Sequence, residues 1–298
     1  MFGWTIDEQR TFAVLDAYVE SGGNFIDTAD AYGRRGRGGP GESERIIGRW
    51  IAARANRDEL VIATKVGIYP GLSGLSAATI REAIERSRER LGVDTIDLYY
   101  AHKDDPDTPL LQTLGAFGEL IREGKIRHAA ASNYGAARLS EALRVGEGEG
   151  MASYVALQPQ YNLMERAEYE RELAPLCEQS GLACLPYFSL ARGLLTGKYR
   201  RDGPPVQSPR ADSVAGYLNQ RGFAVLEALD EVAAAQQTTI PAIALAWLLA
   251  QPTVAAPVAS ATSPGQLAEL LGATALELTA AQLERLNAAS AQPAVASA

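Results

Sequence analysis

Acid–base and hydrogen-bonding side chains recur at one kind of position in this sequence, the C-terminal end of a short β-branched run. Asp27 lies at the end of the run over residues 24–28, and Lys65 ends the run over 60–65, 38 residues later. His102 follows the run over 96–101, a further 37 residues on. Ser132 and Asn133 follow the run over 126–131, Gln158 ends that over 154–158, and Tyr187 that over 183–187. In a (β/α) barrel such ends converge on one face, where active sites lie. Packing alone gives no reason for polar residues at this regular spacing. A carboxylate, an ammonium, an imidazole and a set of hydroxyl and amide groups could together move a proton and hold a polar ligand.

The elements that must position these residues alternate short strands with longer amphipathic segments, the pattern of a parallel sheet with crossover helices. Residues 12–20 read as the end of a first helix that begins near residue 6, and Ser21-Gly22-Gly23 stops it. A seventh strand is expected over 254–259. Helices are expected over 43–54, 76–91, 110–123, 136–144 and 169–179, and then over 223–236, 241–250, 264–271 and 280–289. The Gly/Pro/Arg-rich stretch 192–219 reads as one long, functional βα loop. Seven strands are one short of a closed barrel, because the strand expected before the first helix is missing, and a gap leaves two sheet edges unpaired. The expectation is therefore an α/β protein, a (β/α)8 TIM barrel lacking its first strand, as a single N-terminally incomplete domain over 1–298.

A chain of 298 residues suits such a barrel of about 250 residues with extra helices. Its 47% apolar content supplies a core and argues against disorder. Asp and Glu number 36 against 28 Lys and Arg, a net charge of −8 that argues against nucleic acid or an anionic membrane as partner. Cys177 and Cys184 show no CxxC spacing and no histidine beside them, so neither a disulfide framework nor a metal site is expected. No apolar run reaches membrane-spanning length. Asp7, Glu8 and Arg10 charge the first ten residues, so no signal peptide is visible and the cytoplasm is the expected compartment. No GxGxxG follows a strand, which argues against a Rossmann domain.

Several motifs run in order along nearly the whole chain: residues 25–32 (FIDTADAY), 41–44 (GESE) with Ile47-Gly48, 63–66 (ATKV), 96–102 (IDLYYAH), 124–127 (GKIR) and 131–133 (ASN). Leu157-Gln158-Pro159 with Tyr161-Asn162, and 190–199 (LARGLLTGKY), complete the set. In this ordered set the chain resembles the aldo-keto reductase family, its channel-β-subunit-like and bacterial NADP-dependent branch. The resemblance implies a catalytic tetrad of Asp27, Tyr32, Lys65 and His102. Hydride adds to a carbonyl carbon and the oxygen must gain a proton. A free phenol, with a pKa of about 10, is a reluctant donor. The Lys65 ammonium is expected to lower that pKa. Asp27 would hold Lys65 charged, and His102 would hydrogen-bond and orient the carbonyl oxygen. His128, inside a strand, is expected to be structural.

The resemblance further implies an NADP(H) cofactor, with NAD(H) as the alternative. Ser132, Asn133 and Gln158 would bind the nicotinamide carboxamide, and Tyr187 would stack on the ring. The backbone of Phe188, Ser189, Leu190, Ala191 and Arg192 would run beside the pyrophosphate. Lys198 and Arg210 would lie near the phosphates, with Thr262, Gln266 and Glu269 at the adenosine end. Neutral Ser260 and Gln266 stand where some relatives carry a cation. Trp4, Tyr69 and Lys103 are candidate substrate contacts. The implied activity is reduction of aldehydes or ketones to alcohols on a small-molecule substrate, with Tyr32 as general acid. A sugar or polyol dehydrogenase and a slow, cofactor-binding redox-sensor subunit remain as alternatives, and the oligomeric state is not legible.

Overall fold

The computed structural model describes residues 2–36 and 38–291. The chain divides into two units: residues 1–158 with 260–267, and 159–259 with 268–298.

The first unit is built on parallel strands. In chain order they are β1 (Phe25–Asp27), β2 (Val61–Val66), the pair β3 (Ile68–Tyr69) and β4 (Leu72–Ser73), β5 (Ile96–Ala101), β6 (Ile126–Ser132) and β7 (Tyr154–Gln158). Helices α1 (Glu8–Glu20), α2 (Glu42–Arg54), α3 (Ala77–Leu91), α4 (Leu110–Arg122) and α5 (Ala136–Gly146) alternate with them. The sheet runs β1-β2-β5-β6-β7, all parallel, in register Asp27 to Ala63, Lys65 to Tyr100 and Ser132 to Gln158. Strand β5 is buried throughout, as a strand covered on both faces must be.

The helices read as the sequence implies because each has a local start or stop signal. Asp7 caps α1 by accepting from Arg10 N at 2.9 Å, and Ser76 caps α3 by accepting from Thr79 N at 3.2 Å. Gly92, with φ +65°, ends α3. Helix α2 buries Ile46, Ile47, Trp50 and Ile51, and its Trp50 indole donates to Asp16 of α1 at 2.8 Å. The β3–β4 hairpin lies outside the expected elements, yet its signal is present: Pro70-Gly71, with Gly71 at φ +81°, forms the turn.

In the second unit follow β8 (Ala183–Cys184) and helices α6 (Ala174–Ser180), entered through a π-helical turn, α7 (Ala211–Val214), α8 (Gln220–Ala235), α9 (Ile240–Leu249), α10 (Pro264–Leu271, shared with the first unit) and α11 (Ala280–Ser290). Two expected strands shrink here. The run over 183–187 stops at Cys184, and that over 254–259 is reduced to a bridge from Val254 to Cys184. Pro186 and Pro257 remove ladder donors, so the two runs keep only scattered bonds such as Ala255 N to Cys184 O and Val258 N to Pro186 O, each at 2.9 Å. The described residues thus hold six parallel strands in place of the expected seven. The long loop expected over 192–219 carries short helical turns and α7. Trp247 packs on Tyr161 at 5.4 Å and donates to Asn287 Oδ1 at 2.9 Å. Cys177 and Cys184 are free and buried, their thiols pushed up by desolvation to about 11 and about 12. Among the described residues no single helix is long and apolar enough to cross a membrane.

Close approach of α2 and α3 depends on Gly48, where a Cβ would fall 2.4 Å from Arg90 O. Gly48→Ala is expected to destabilise the protein by about 1–3 kcal/mol, the usual cost of overpacking, seen as a lowered urea midpoint with an unchanged m-value.

Candidate active site

The ends of β1, β2, β5, β6 and β7 bring six of the expected residues into one hydrogen-bonded system within the first unit. Lys65 is fully buried, and its Nζ donates to Asp27 Oδ1 at 2.6 Å and to the Thr28 carbonyl at 2.7 Å. The second Asp27 oxygen accepts from Gln158 Nε2 at 2.8 Å. Ser132 Oγ donates to the Gln158 carbonyl at 2.9 Å and accepts from Asn133 Nδ2 at 3.0 Å. Asn133 Nδ2 also donates to the His102 carbonyl at 2.8 Å. Asn133 occupies the left-handed region at φ +56°, a conformation Asn tolerates better than most residues.

Tyr32, on the loop after β1, places its ring 4.9 Å from Lys65 Nζ and 5.8 Å from the His102 ring, edge-on. It remains 37% exposed although buried side chains surround its phenol. A phenol beside a buried cation, on a residue whose ring is still partly exposed, is placed to donate a proton to an incoming substrate.

The electrostatics correct one expectation. Desolvation raises the Tyr32 phenol, and the Lys65 charge, which pulls it down, does not overcome that effect. The expected fall below the free value is therefore absent in the chain alone. Desolvation likewise works against the Lys65 ammonium, but Asp27 and Tyr32 outweigh it, and Lys65 holds its proton more tightly than a free lysine. Burial and then Lys65 push His102 down to about 3. The imidazole is neutral at physiological pH, and its Nδ1 is buried with no hydrogen-bond partner among the described residues. His128 is exposed on β6, away from this cluster's buried residues.

The other expected residues form smaller groups. Gln266 Oε1 accepts from Thr262 N at 2.9 Å and Oγ1 at 2.7 Å, and Gln266 and Glu269 are exposed on α10. In the second unit, Tyr187 N donates to Pro159 O at 2.9 Å, and its ring meets Phe188 edge-on at 5.0 Å. Ser189 is buried and its hydroxyl reaches the Pro186 and Val258 carbonyls, each at 2.9 Å. Phe188, Ala191 and Arg192 have φ of +51°, +45° and +58°, with Gly193 at +112°. Three non-glycine residues in the left-handed region mark a loop under strain, the kind found at ligand sites. The Arg192 guanidinium lies 4.7 Å from the Phe188 ring. Lys198 loses proton affinity to desolvation and then to the Arg210 charge, so two cations are held near each other. Leu190 lies within that stretch, half-buried.

Of the suggested substrate contacts, Trp4 lies 5.3 Å from the Arg35 guanidinium, Lys103 is exposed directly after His102, and Tyr69 lies 5.6 Å from Arg90. Sequence reasoning assigns no role to Asp30, Glu44 or Arg90. Glu44 Oε2 accepts from Arg90 Nε at 2.6 Å and its Oε1 from Thr64 Oγ1 at 2.6 Å, directly behind β2. The only local sign is a pair of acidic residues inside the ordered motifs.

Removing one member of a buried ion pair strands its partner. Lys65→Met is expected to cost about 3–5 kcal/mol of stability, with part restored in Asp27→Asn/Lys65→Met, as read by urea unfolding.

The aldo/keto reductase family profile matches residues 1–291. The NADH-specific methylglyoxal reductase of Escherichia coli is 33% identical over 299 aligned positions, covering 93% of this chain and 86% of that protein. The aldo-keto reductase YhdN of Bacillus subtilis is 32% identical, covering 96% and 85%. A probable voltage-gated potassium channel subunit beta of Oryza sativa is 29% identical, covering 90% and 83%. With the profile spanning this length and such relatives matched along most of theirs, the chain belongs to the aldo/keto reductase family, a family of oxidoreductases.

Proposed function

We propose that the chain reduces small aldehydes and ketones to alcohols, with Tyr32 as the general acid, working in the cytoplasm on a nicotinamide cofactor. The observation that carries this reading is the fully buried Lys65 ammonium, held by Asp27 at 2.6 Å and facing the Tyr32 ring at 4.9 Å. A bound nicotinamide supplies the hydride. As charge develops on the carbonyl oxygen, Tyr32 gives up its proton, and the resulting phenolate lies beside the ammonium that stabilises it. Neutral His102 offers a hydrogen bond to the same oxygen without competing as an acid. Asp27 holds Lys65 in place, and Gln158 holds Asp27.

The chain's own groups suit such a cofactor. Ser132 and Asn133 bring hydroxyl and amide groups to the strand ends where a carboxamide needs donors and acceptors. Tyr187 offers an aromatic ring. The strained backbone from Phe188 through Leu190 to Arg192 supplies a phosphate-binding loop, and an anion would relieve the repulsion between Lys198 and Arg210. Thr262, Gln266 and Glu269 would take the adenosine end, and Trp4, Tyr69 and Lys103 the substrate side. In this reading the strands belong to a (β/α)8 barrel. Lys198 and Arg210 favour NADP(H). A second reading, NAD(H), is favoured by Gln266, a neutral side chain already occupied by Thr262, and by the NADH specificity of the Escherichia coli relative.

Tyr32→Phe is expected to lower turnover of a reactive aldehyde by about 10²–10⁴-fold, the scale of general acid catalysis, with cofactor affinity unchanged. Retained turnover would overturn the role of Tyr32. In fluorescence titrations the wild type is expected to prefer NADPH, and Arg210→Ala to lose roughly tenfold of NADPH affinity, one charge-assisted contact. Tighter binding of NADH by the wild type would decide for the second reading.

A further inference from the structure

Asp30 is a buried carboxyl group that no other side chain among the described residues hydrogen-bonds, with the neighbouring Ala31 N–H acting on it only weakly. It is 1% exposed, and neither side-chain oxygen has a hydrogen-bond partner among the described residues. Its backbone N–H donates to the Lys65 carbonyl at 3.2 Å, which fixes it next to β2, two residues before Tyr32 in the chain. The charged groups facing it are Glu44 of α2, Arg90 of α3 and Lys65 of β2, and its own charge acts on the phenols of Tyr32 and of Tyr99 in β5.

The cations around it are already matched. Arg90 serves Glu44 at 2.6 Å, and Lys65 serves Asp27 at 2.6 Å. An ionised Asp30 would be a further negative charge with no side-chain partner and no counter-ion of its own, and the Ala31 N–H, Arg90 and Lys65, which favour that charge, do not outweigh burial and Glu44. A buried carboxyl in that situation keeps its proton rather than carry the charge. Burial first, and Glu44 second, push the group up to about 7. Ionisation at that point would place a new negative charge within reach of Tyr32, and its effect there is to raise the phenol, against the pull of Lys65.

We propose that Asp30 is a positioning residue for proton transfer: as a neutral acid it leaves the Lys65 field at Tyr32 undisturbed, and on ionising it makes Tyr32 a weaker proton donor. The proposal rests on the reading of Tyr32 as general acid.

Two measurements test it. The first is ¹³C NMR of the protein labelled at aspartate carboxyls, with the Asp30 resonance assigned by its loss in Asp30→Asn. It is expected to titrate near 7; titration in the ordinary carboxylate range overturns the proposal and leaves the role of Tyr32 intact. The second is the pH profile of kcat for aldehyde reduction. A several-fold fall is expected in the wild type as pH rises through neutrality, and a flat profile over that interval in Asp30→Asn and in the near-isosteric Asp30→Leu. Parallel profiles in wild type and variants overturn the proposal. Absence of turnover in all three proteins overturns the reading of Tyr32 and, because it rests on that reading, this role with it, whereas turnover with an ordinary Asp30 titration overturns this role alone. Thermal unfolding supplies a readout independent of activity. The raised carboxyl binds its proton more tightly folded than unfolded, so stability is lost as pH rises from about 4 to 7 and the loss is constant above. The Tm advantage of Asp30→Asn over the wild type should grow across that window and then level off.

Discussion

Lys65 carries its charge on a strand from which solvent is excluded, and the Asp27 carboxylate and the Thr28 carbonyl hold that charge at hydrogen-bonding distance. Burying an ammonium is strongly unfavourable, and the penalty is offset only when a counter-charge is itself held in place. Gln158 does this for Asp27, Ser132 holds the Gln158 backbone, and Asn133 links Ser132 to the His102 backbone. Strand register is thereby coupled to side-chain chemistry. A slip of one residue in β2 would turn Lys65 to the opposite face and leave Asp27 without its partner. The reactivity ascribed to Tyr32 depends on this arrangement, because the phenol by itself is made a weaker acid by burial.

A second buried pair, Glu44 with Arg90, lies behind the first and ties α2 and α3 to β2 through Thr64. Gly48 lets the two helices approach closely enough for that pair to close. Asp97 plays a comparable part at the other end of the sheet: it accepts from Ile62 N at 2.8 Å and from Arg57 at 2.6 Å, and pairs with Arg127 at 2.8 Å. Acidic residues embedded in the most recognisable motifs therefore do different work. Asp27 pairs with the buried Lys65, whereas Glu44 and Asp97 hold helices and strands in register. Asp30 has neither duty, which is why its proton becomes informative.

The candidate residues of the second unit are arranged by backbone more than by charge. Left-handed Phe188, followed by the left-handed run Ala191, Arg192 and Gly193, turns the chain sharply, and the buried Ser189 hydroxyl ties that turn to two carbonyls. Such a turn exposes amide groups toward a ligand without requiring side chains to do so. Nothing in the residue types of this stretch, apart from its glycine and arginine, signals that geometry.

What the sequence determined by itself was the alternation of strand and helix and the identity of the polar residues at strand ends. Both are local properties, written in hydrophobic periodicity and in caps such as Asp7 and Ser76, and most helices fall within a few residues of their expected bounds. The Pro70-Gly71 hairpin and the curtailed runs at Pro186 and Pro257 are equally local signals, outweighed in reading by the apolar residues around them. Tertiary structure alone decided which polar groups meet. Gln158 reaches Asp27 across 131 residues of chain, and Glu44 finds Arg90 across 46. It also decided protonation. Asp30 is one aspartate among many in the sequence, and its proton depends on burial and on the charges it faces, quantities that exist only once the chain has folded.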